Sequence, residues 1–531
     1  MKFFMRSLLI LFALYALVFA IGDAYLAKLG APPAGALVFV IVLVGVQYLI
    51  APWLIEHILD IHWEEYGAQL PAPNRAFVEQ LCSQRGLKVP RIGIINSGTP
   101  NAFSFGRVRS DARVVVTSGL LDVLTPEEAN AVLAHEIGHI EHWDFVVMTI
   151  AGLVPVLLYQ LYVFTRDVKN VRAIAYSAYL CYWVSQYIVL LLNRTREYFA
   201  DHYAAEATGM PDALSSALIK IAYGMVKADG AYREAKEFKY KEKSELRREE
   251  RMAGTLAVMG ISNLRSGASL ALAGASPSEA VAIMRWDLVN PWARVYEMSS
   301  THPLTALRVR AMNAEAENMH QTIHYPLPQD RRTEWGNFFF EFLIWILPWI
   351  CAALLLFRIT ARRWLTGFGF DVPTGAEPAI LIIGAASWLL RIWYRYHGDF
   401  QAETVGRLLE DVEVSQMRPR AVRLSGKIVG RGLPGAFWSP DLVLQDSTGI
   451  IFMLYRQSIP FARFLFAITD ADECIGQQVE IEGWFRRGLR PYVEMSRLSA
   501  EGGQVHRAYS RWVQYAGAGI ALVIGVLWLL A

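Results

Sequence analysis

Long apolar runs alternate with soluble stretches along this chain, and their spacing lays out an architecture before any chemistry is considered. The first run, residues 8–26, follows Lys2 and Arg6, and one short turn separates it from a second at 34–55. Both are long enough to cross a bilayer as helices, and no small-x-small cleavage site follows the first. The pattern therefore predicts a retained membrane hairpin rather than a cleaved leader. Runs at 145–164 and 173–192 predict a second hairpin, runs at 338–357 and 378–392 a further pair, and 515–530 a terminal anchor. Arg166, Lys169 and Arg172 lie between the arms of the second hairpin, against the positive-inside tendency if both arms cross. A full crossing and a shallow re-entrant hairpin both fit, and both return Asn193 to the side from which the chain entered.

Shorter periods mark the soluble segments. Within residues 56–144, Asn74 after Pro71 and Pro73 is placed to cap a helix to Arg85 with Phe77, Val78, Leu81 and Cys82 as its apolar stripe. Residues 89–96 and 113–117 read as strands. Thr125-Pro126-Glu127-Glu128 is a helix start, with a Thr cap, Pro in the first position and Glu in the third, and the helix carries through Ala129 to His139. Residues 194–332 are again largely soluble, and their charged stretch 236–251 reads as a solvated helix or loop. Residues 403–500 differ in texture: alternating runs at 421–429, 441–455 and 478–485, with Asp446-Ser447-Thr448-Gly449 as a hairpin turn, predict a small β-barrel resembling an OB-fold. Arg486, Arg487 and Arg490 beside Trp484 and Tyr492 would suit a single-stranded nucleic acid, but a hairpin turn facing water or anionic lipid is the favoured reading.

Composition agrees with the pattern. Hydrophobic residues make up 54% of the 531-residue chain and charged ones only 19%, with a mean hydropathy of +0.27, values unusual for a wholly soluble protein. A net charge of +2 gives no general argument for nucleic acid as partner. Cys82, Cys181, Cys351 and Cys474 form no C-x-x-C pair and so suggest neither a disulfide framework nor a thiolate zinc site. There is no Walker A sequence, which argues against an ATP-driven machine within this one chain.

The chemistry lies in two clusters. His135-Glu136-Ile137-Gly138-His139 is an H-E-x-x-H motif: on a helix both histidines share a face one turn apart, so both imidazoles can reach one Zn²⁺ while Glu136 handles the attacking water. The second cluster, Asn193-Arg194-Thr195-Arg196-Glu197-Tyr198-Phe199-Ala200-Asp201, stands at the end of the next apolar run. Glu197 is suited as third ligand, leaving a fourth position for water, and Asp201 one turn later can orient an imidazole. His142 is expected to stand outside the ligand set.

Together these clusters resemble the M48 family of integral-membrane zinc metallopeptidases over roughly residues 74–312. The resemblance implies His135, His139 and Glu197 as ligands of one Zn²⁺ per subunit, Glu136 as general base and Asp201 as a neighbour of the ligands. Asn101-Ala102-Phe103 with Gly106, and Thr301-His302-Pro303 with Arg308, resemble two further family boxes. These assign Asn101 to substrate backbone, the strand around Val115 to β-augmentation by an extended peptide, His302 to the oxyanion, and Arg308 to bracing Asp201. Ordinary turn, sheet and capping roles compete for Asn101, Val115 and His302.

The expected fold is thus an α-helical polytopic membrane protein with a mainly helical zincin-type metallopeptidase domain and a small C-terminal OB-like β-barrel domain. Its divisions are a transmembrane hairpin at 1–56, the peptidase domain at 57–337, a transmembrane pair at 338–397, the β domain at 398–505 and an anchor at 512–531. The expected partners are the lipid bilayer, polypeptide substrates drawn from membrane proteins, and a protein recruited by the β domain. Nucleic acid is not favoured. The positive-inside rule places the site at the cytoplasmic face of the cell membrane. Specific processing of an anchored substrate is the rival activity, and a membrane scaffold with a structural zinc site the non-enzymatic alternative.

Overall fold

The structure is a computed structural model that describes residues 33–531 other than 60, 65–69, 98–99, 168–171, 222–276, 329–334, 366–374, 432–439, 458–459, 472, 489–490, 501–502 and 504. The first apolar run, the charged stretch 236–251, Lys169 and Arg490 lie outside the described residues. The chain divides into two compact units, one built from its N-terminal part together with Val295–Leu327, the other from Pro328–Ala531 together with Ala268–Arg294.

In the first unit, helix α1 (Pro33–Ile58) precedes a mixed sheet of β1 (His62–Trp63), β2 (Arg91–Ile95), β3 (Ala102–Phe105) and β4 (Arg113–Thr117), in the order β1-β2-β4-β3. β2 and β4 run parallel, while β3 returns antiparallel along β4 with Ala102 opposite Val116. Val115 is paired with Gly93 on one side and Phe103 on the other, so β4 is an interior strand and offers no free edge for a peptide. The sheet ends at β1 and at β3 instead, a correction to the expectation. Sequence alternation identifies a strand; its neighbours are set by the tertiary fold. A Cβ on Gly106, just after β3, would lie 2.6 Å from Asp111 O, which explains the glycine there.

Helix α2 (Ala72–Arg85) begins after Pro71 with no side-chain cap, and the buried amide of Asn74 instead donates to Pro126 O at 2.9 Å and Asn130 Oδ1 at 2.8 Å. That contact ties α2 to α3 (Pro126–Glu141). α3 starts as its sequence prescribes: Glu128 N donates to Thr125 Oγ1 and Thr125 N to Glu128 Oε2, a reciprocal capping box with Pro126 at N1. Ala131, Val132, Leu133 and Ile137 bury α3 in a core shared with Val78 and Leu81 of α2 and Ile92, Val114 and Val116 of the sheet. Each such aliphatic side chain contributes about 1.5–3 kcal/mol by leaving water. The core therefore immobilises the motif helix.

Trp143, in the left-handed region at φ 59°, ends α3 and turns the chain into α4 (Asp144–Thr165). α5 (Arg172–Thr208) packs along α4 and then along α3; its 37 residues span about 55 Å, so the apolar run and the Asn193–Asp201 cluster belong to one helix. α6 (Thr305–Asn318) packs against α5.

The second unit contains three long apolar helices, α7 (Trp335–Leu365), α8 (Ala376–Arg395) and α10 (Ser510–Leu530), with α8 packed against both others. Between α8 and α10 lies a closed barrel of β5 (Arg420–Arg431), β6 (Leu442–Gln445), β7 (Ile450–Leu454), β8 (Gln478–Arg486) and β9 (Tyr492–Ala500). Its ring order is β5-β6-β7-β9-β8-β5, only β7 and β9 run parallel, and helix α9 (Pro460–Thr469) joins β7 to β8. This connectivity is consistent with an OB-like barrel. The predicted turn is present, with Asp446 N donating to Gly449 O at 3.0 Å.

Arg486 and Arg487 are fully buried and Trp484 and Tyr492 nearly so, so these four residues offer no surface to nucleic acid, water or lipid, a correction to the expectation. Arg486 donates to Glu494 Oε2 at 2.9 Å and to the carbonyls of Gln416 and Arg395, and Arg487 to those of Leu409 and Ile283. Burial works against the Glu494 carboxylate, but Arg486, Arg456 and Arg395 outweigh it and hold its pKa down at about 2. Paired in this way, an arginine that reads as surface in the sequence enters the interior.

Among the described residues, six helices are long and apolar enough to cross a membrane: α1, α4, α5, α7, α8 and α10. The chain is consistent with a multi-pass membrane protein.

Candidate metal centre

α3 presents His135 and His139 on one face, with their Nε2 atoms 3.1 Å apart and the rings nearly perpendicular. α5 supplies the third group: Glu197 Oε2 lies 3.7 Å from His135 Nε2, and Oε1 lies 3.7 Å from His139 Nε2. One atom from each of the three falls within 4.8 Å of the others. Gly138 permits this approach, because a Cβ there would sit 3.3 Å from Ala200 Cα and 3.1 Å from Tyr203 Cδ1. A larger side chain would push α3 off α5.

The outward nitrogen of each imidazole faces a carboxylate. His135 Nδ1 lies 3.0 Å from Asp201 Oδ1, and His139 Nδ1 lies 2.6 Å from Asp144 Oδ2. An arginine holds each carboxylate in turn: Arg308 donates to Asp201 through Nε at 2.8 Å and Nη2 at 2.6 Å, and Arg196 pairs with Asp144. Arg308 Nη1 also lies 3.6 Å from Glu197 Oε2. Burial works against the charge of Arg308, but the Asp201 carboxylate outweighs it and raises the pKa above the ordinary arginine value. A permanent positive charge therefore faces two buried carboxylates.

The start of the second cluster has a different task. Asn193 donates to Thr301 O at 2.7 Å and Arg194 to the carbonyls of Glu297 and Ser300 at 2.8 and 3.0 Å, so this end of α5 cradles the segment leading to α6. That segment brings His302 Nε2 to 3.5 Å from Glu197 Oε1, while its Nδ1 lies 3.0 Å from Thr301 Oγ1. Burial lowers the His302 pKa below its ordinary value against the opposing pull of Glu197.

Of the other expected residues, Glu136 is buried on α3 between the two histidines in sequence. Asn101 is buried, its carboxamide oxygen accepting from Ala102 N at 2.9 Å and its main chain paired with Thr117. His142 turns its Nδ1 to Gly138 O at 2.7 Å and stands outside the cluster. Sequence reasoning named Asp201 and Arg308 but missed Asp144 and Arg196. The available signal was the acid five residues after His139, opening an apolar helix where an unpaired carboxylate is costly.

The arrangement fits a metal ion. Two imidazoles sharing one tetrahedral Zn²⁺, with bonds of about 2.0–2.1 Å, bring their nitrogens to about 3.3 Å, near the separation seen. Glu197 Oε2 is buried without a hydrogen bond, as an atom reserved for a cation would be. The His/His/Glu cluster is thus capable of holding a metal.

Residues 74–316 match peptidase family M48. The chain is 38% identical over 225 residues to a protease HtpX homolog of Methanothermobacter thermautotrophicus, covering 42% of this chain and 84% of the relative. It is 33% identical over 234 residues to a protease HtpX homolog of Moorella thermoacetica, covering 42% and 76%. Among solved structures, S. mikatae Ste24p aligns with 58% of this chain and 64% of its own at 18% identity and a TM-score of 0.36. The chain belongs to peptidase family M48, a family of proteases acting on polypeptides.

Proposed function

We propose that this protein is a membrane-bound zinc endopeptidase that cuts misfolded or surplus membrane proteins at the cytoplasmic face. The observation that carries the reading is the convergence of His135, His139 and Glu197, with Glu136 on the same helix, at the point where α3 gives way to the apolar helix α4 and α5 returns. When bound there, Zn²⁺ supplies a Lewis acid that polarises the scissile carbonyl and acidifies water. Glu136 takes a proton from the attacking water and delivers it to the leaving amine. His302, beside Glu197, donates a hydrogen bond to the oxyanion. The free edge of β3, which packs against α3, accepts an extended peptide as an added strand. Asn101 keeps the head of that strand in register through Thr117. Lys2 and Arg6, ahead of the first apolar run, support the cytoplasmic orientation, since two crossings return the chain to their side.

Metal removal tests this reading. Chelation of the purified chain in detergent is expected to abolish cleavage of unfolded casein, and added Zn²⁺ to restore it. Undiminished cleavage by verified metal-free protein would sink the zinc mechanism. Dispersed cut sites are expected for quality control, whereas one dominant sequence would transfer the protein to specific processing.

Asp144 offers a second measurement. Asp144→Asn keeps the shape but removes the charge that fixes the His139 tautomer, so Zn²⁺ affinity is expected to fall about 10–100-fold. Competition with a chromophoric chelator reads this directly, and unchanged affinity would show that His139 needs no such partner.

A further inference from the structure

The helix that closes the barrel is apolar on both faces. Phe466 and Ala467 of α9 are buried, with the Phe466 ring 4.1 Å from that of Tyr455. On the other face, Phe461, Phe464, Leu465 and Ile468 are 69%, 47%, 45% and 47% exposed. At 3.6 residues per turn these four fall within an arc of about 100°, a continuous stripe directed away from the barrel. An apolar helix stripe is ordinarily turned to an apolar cover.

The surroundings of α9 identify the cover. The strand residues leading into α9 are bonded to the residues leading into α10: Tyr455 Oη and Gln457 Nε2 both donate to Arg507 O, at 3.3 and 2.8 Å, and Tyr509 N donates to Gln457 Oε1 at 3.1 Å. α10, long and apolar enough to span a bilayer, begins at the next residue, Ser510. The His506 ring, four residues before α10, packs 5.2 Å from that of Phe466 on α9 itself. Tyr509 and Trp512 are 54% and 58% exposed at the head of α10, the position of aromatic residues at a membrane–water boundary. Arg511 lies over the Trp512 ring at 4.9 Å and over that of Trp484 at 5.1 Å, and Arg507, ahead of α10 in the chain, is exposed, a cation suited to lipid phosphates.

We infer that α9 lies in the plane of the membrane surface, with Phe461, Phe464, Leu465 and Ile468 inserted among the lipid chains, so that the barrel rests on the bilayer through α9 as well as hanging from α8 and α10. A helix of this kind enters about 5–10 Å, to the boundary of headgroup and acyl chain. The ligand is the bilayer into which α10 runs, since the residues leading into α9 are bonded to those leading into α10.

The test uses the full chain reconstituted in phosphatidylcholine–phosphatidylglycerol vesicles. Exposed Cys181 is replaced by Ser, the buried cysteines are kept, and Phe464→Cys carries an environment-sensitive fluorophore. Ser447→Cys, on the turn at the opposite end of β7, about 17 Å of strand away, is the control. Lipids brominated near the glycerol end of the acyl chain are expected to remove most of the emission at position 464 and little at 447. Emission at 464 that brominated lipid leaves unchanged overturns the inference. Cross-linking of position 464 between copies, with emission likewise unchanged, would overturn it in favour of a dimer contact.

Discussion

Glu136→Gln is expected to retain bound Zn²⁺ at wild-type stoichiometry while hydrolysis of a quenched peptide falls by about 10²–10⁴-fold, the usual contribution of a positioned general base. The substitution is close to isosteric, so α3 keeps its packing, and its capping box at Thr125 and Glu128 lies more than a turn away. Glutamine retains the shape but cannot accept a proton from water. The metal-holding groups are His135, His139 and Glu197, which the substitution leaves in place. The test therefore separates catalysis from metal binding: zinc content and far-UV circular dichroism should be unchanged, and turnover alone should collapse. Equal turnover in the two proteins at equal zinc content would remove Glu136 from the mechanism. Loss of zinc along with activity would instead make Glu136 part of what assembles the site.

What the sequence disclosed follows from how local each signal is. The H-E-x-x-H spacing is a property of a single helix turn, so His135 and His139 were legible at once. Glu197 and Asp201 were legible because the apolar runs on either side of residue 168 must return the chain to the side it left. The membrane helices were equally plain, since about twenty apolar residues in a row admit few other fates.

Legibility failed where a residue's neighbours come from elsewhere in the fold. Arg486 and Arg487 read as a surface because arginines usually are one, yet Glu494 and a set of backbone carbonyls draw them inside. Val115 read as an edge because a β-rich run does not disclose whether one strand or two will flank it, and β2 and β3 both do. Asp144 carries no role in the sequence pattern, standing just before the apolar run at 145–164. Its significance depends on the αL turn at Trp143, which aims it at His139, and on Arg196 arriving from α5. The apolar outer face of α9 was likewise hidden, in the stretch between the runs at 441–455 and 478–485 that alternation leaves unassigned.

Arg308→Met should be the most destabilising single change at the site. Its guanidinium is the positive group bonded to both oxygens of Asp201 and within 3.6 Å of Glu197, and all three side chains are buried. Methionine fills a similar volume but leaves the carboxylates facing each other without that charge, a loss that costs about 3–5 kcal/mol in buried pairs. For a unit of this size the unfolding midpoint in detergent should fall on the order of ten degrees at a fixed scan rate. Arg308→Lys should recover only part of the loss, because an ammonium is a point charge and cannot reproduce the two parallel bonds to Asp201. Zinc affinity should fall in the same order, since a released Asp201 no longer orients His135, whose Nδ1 it faces at 3.0 Å. Thermal unfolding of the three proteins with and without Zn²⁺ reads both effects. A methionine variant with the wild-type midpoint would mean that the Arg308–Asp201 pair only just offsets its own desolvation. In that case the site would draw its rigidity from the packing of α3 against α5 at Gly138, and enlarging that glycine would become the substitution that dismantles it.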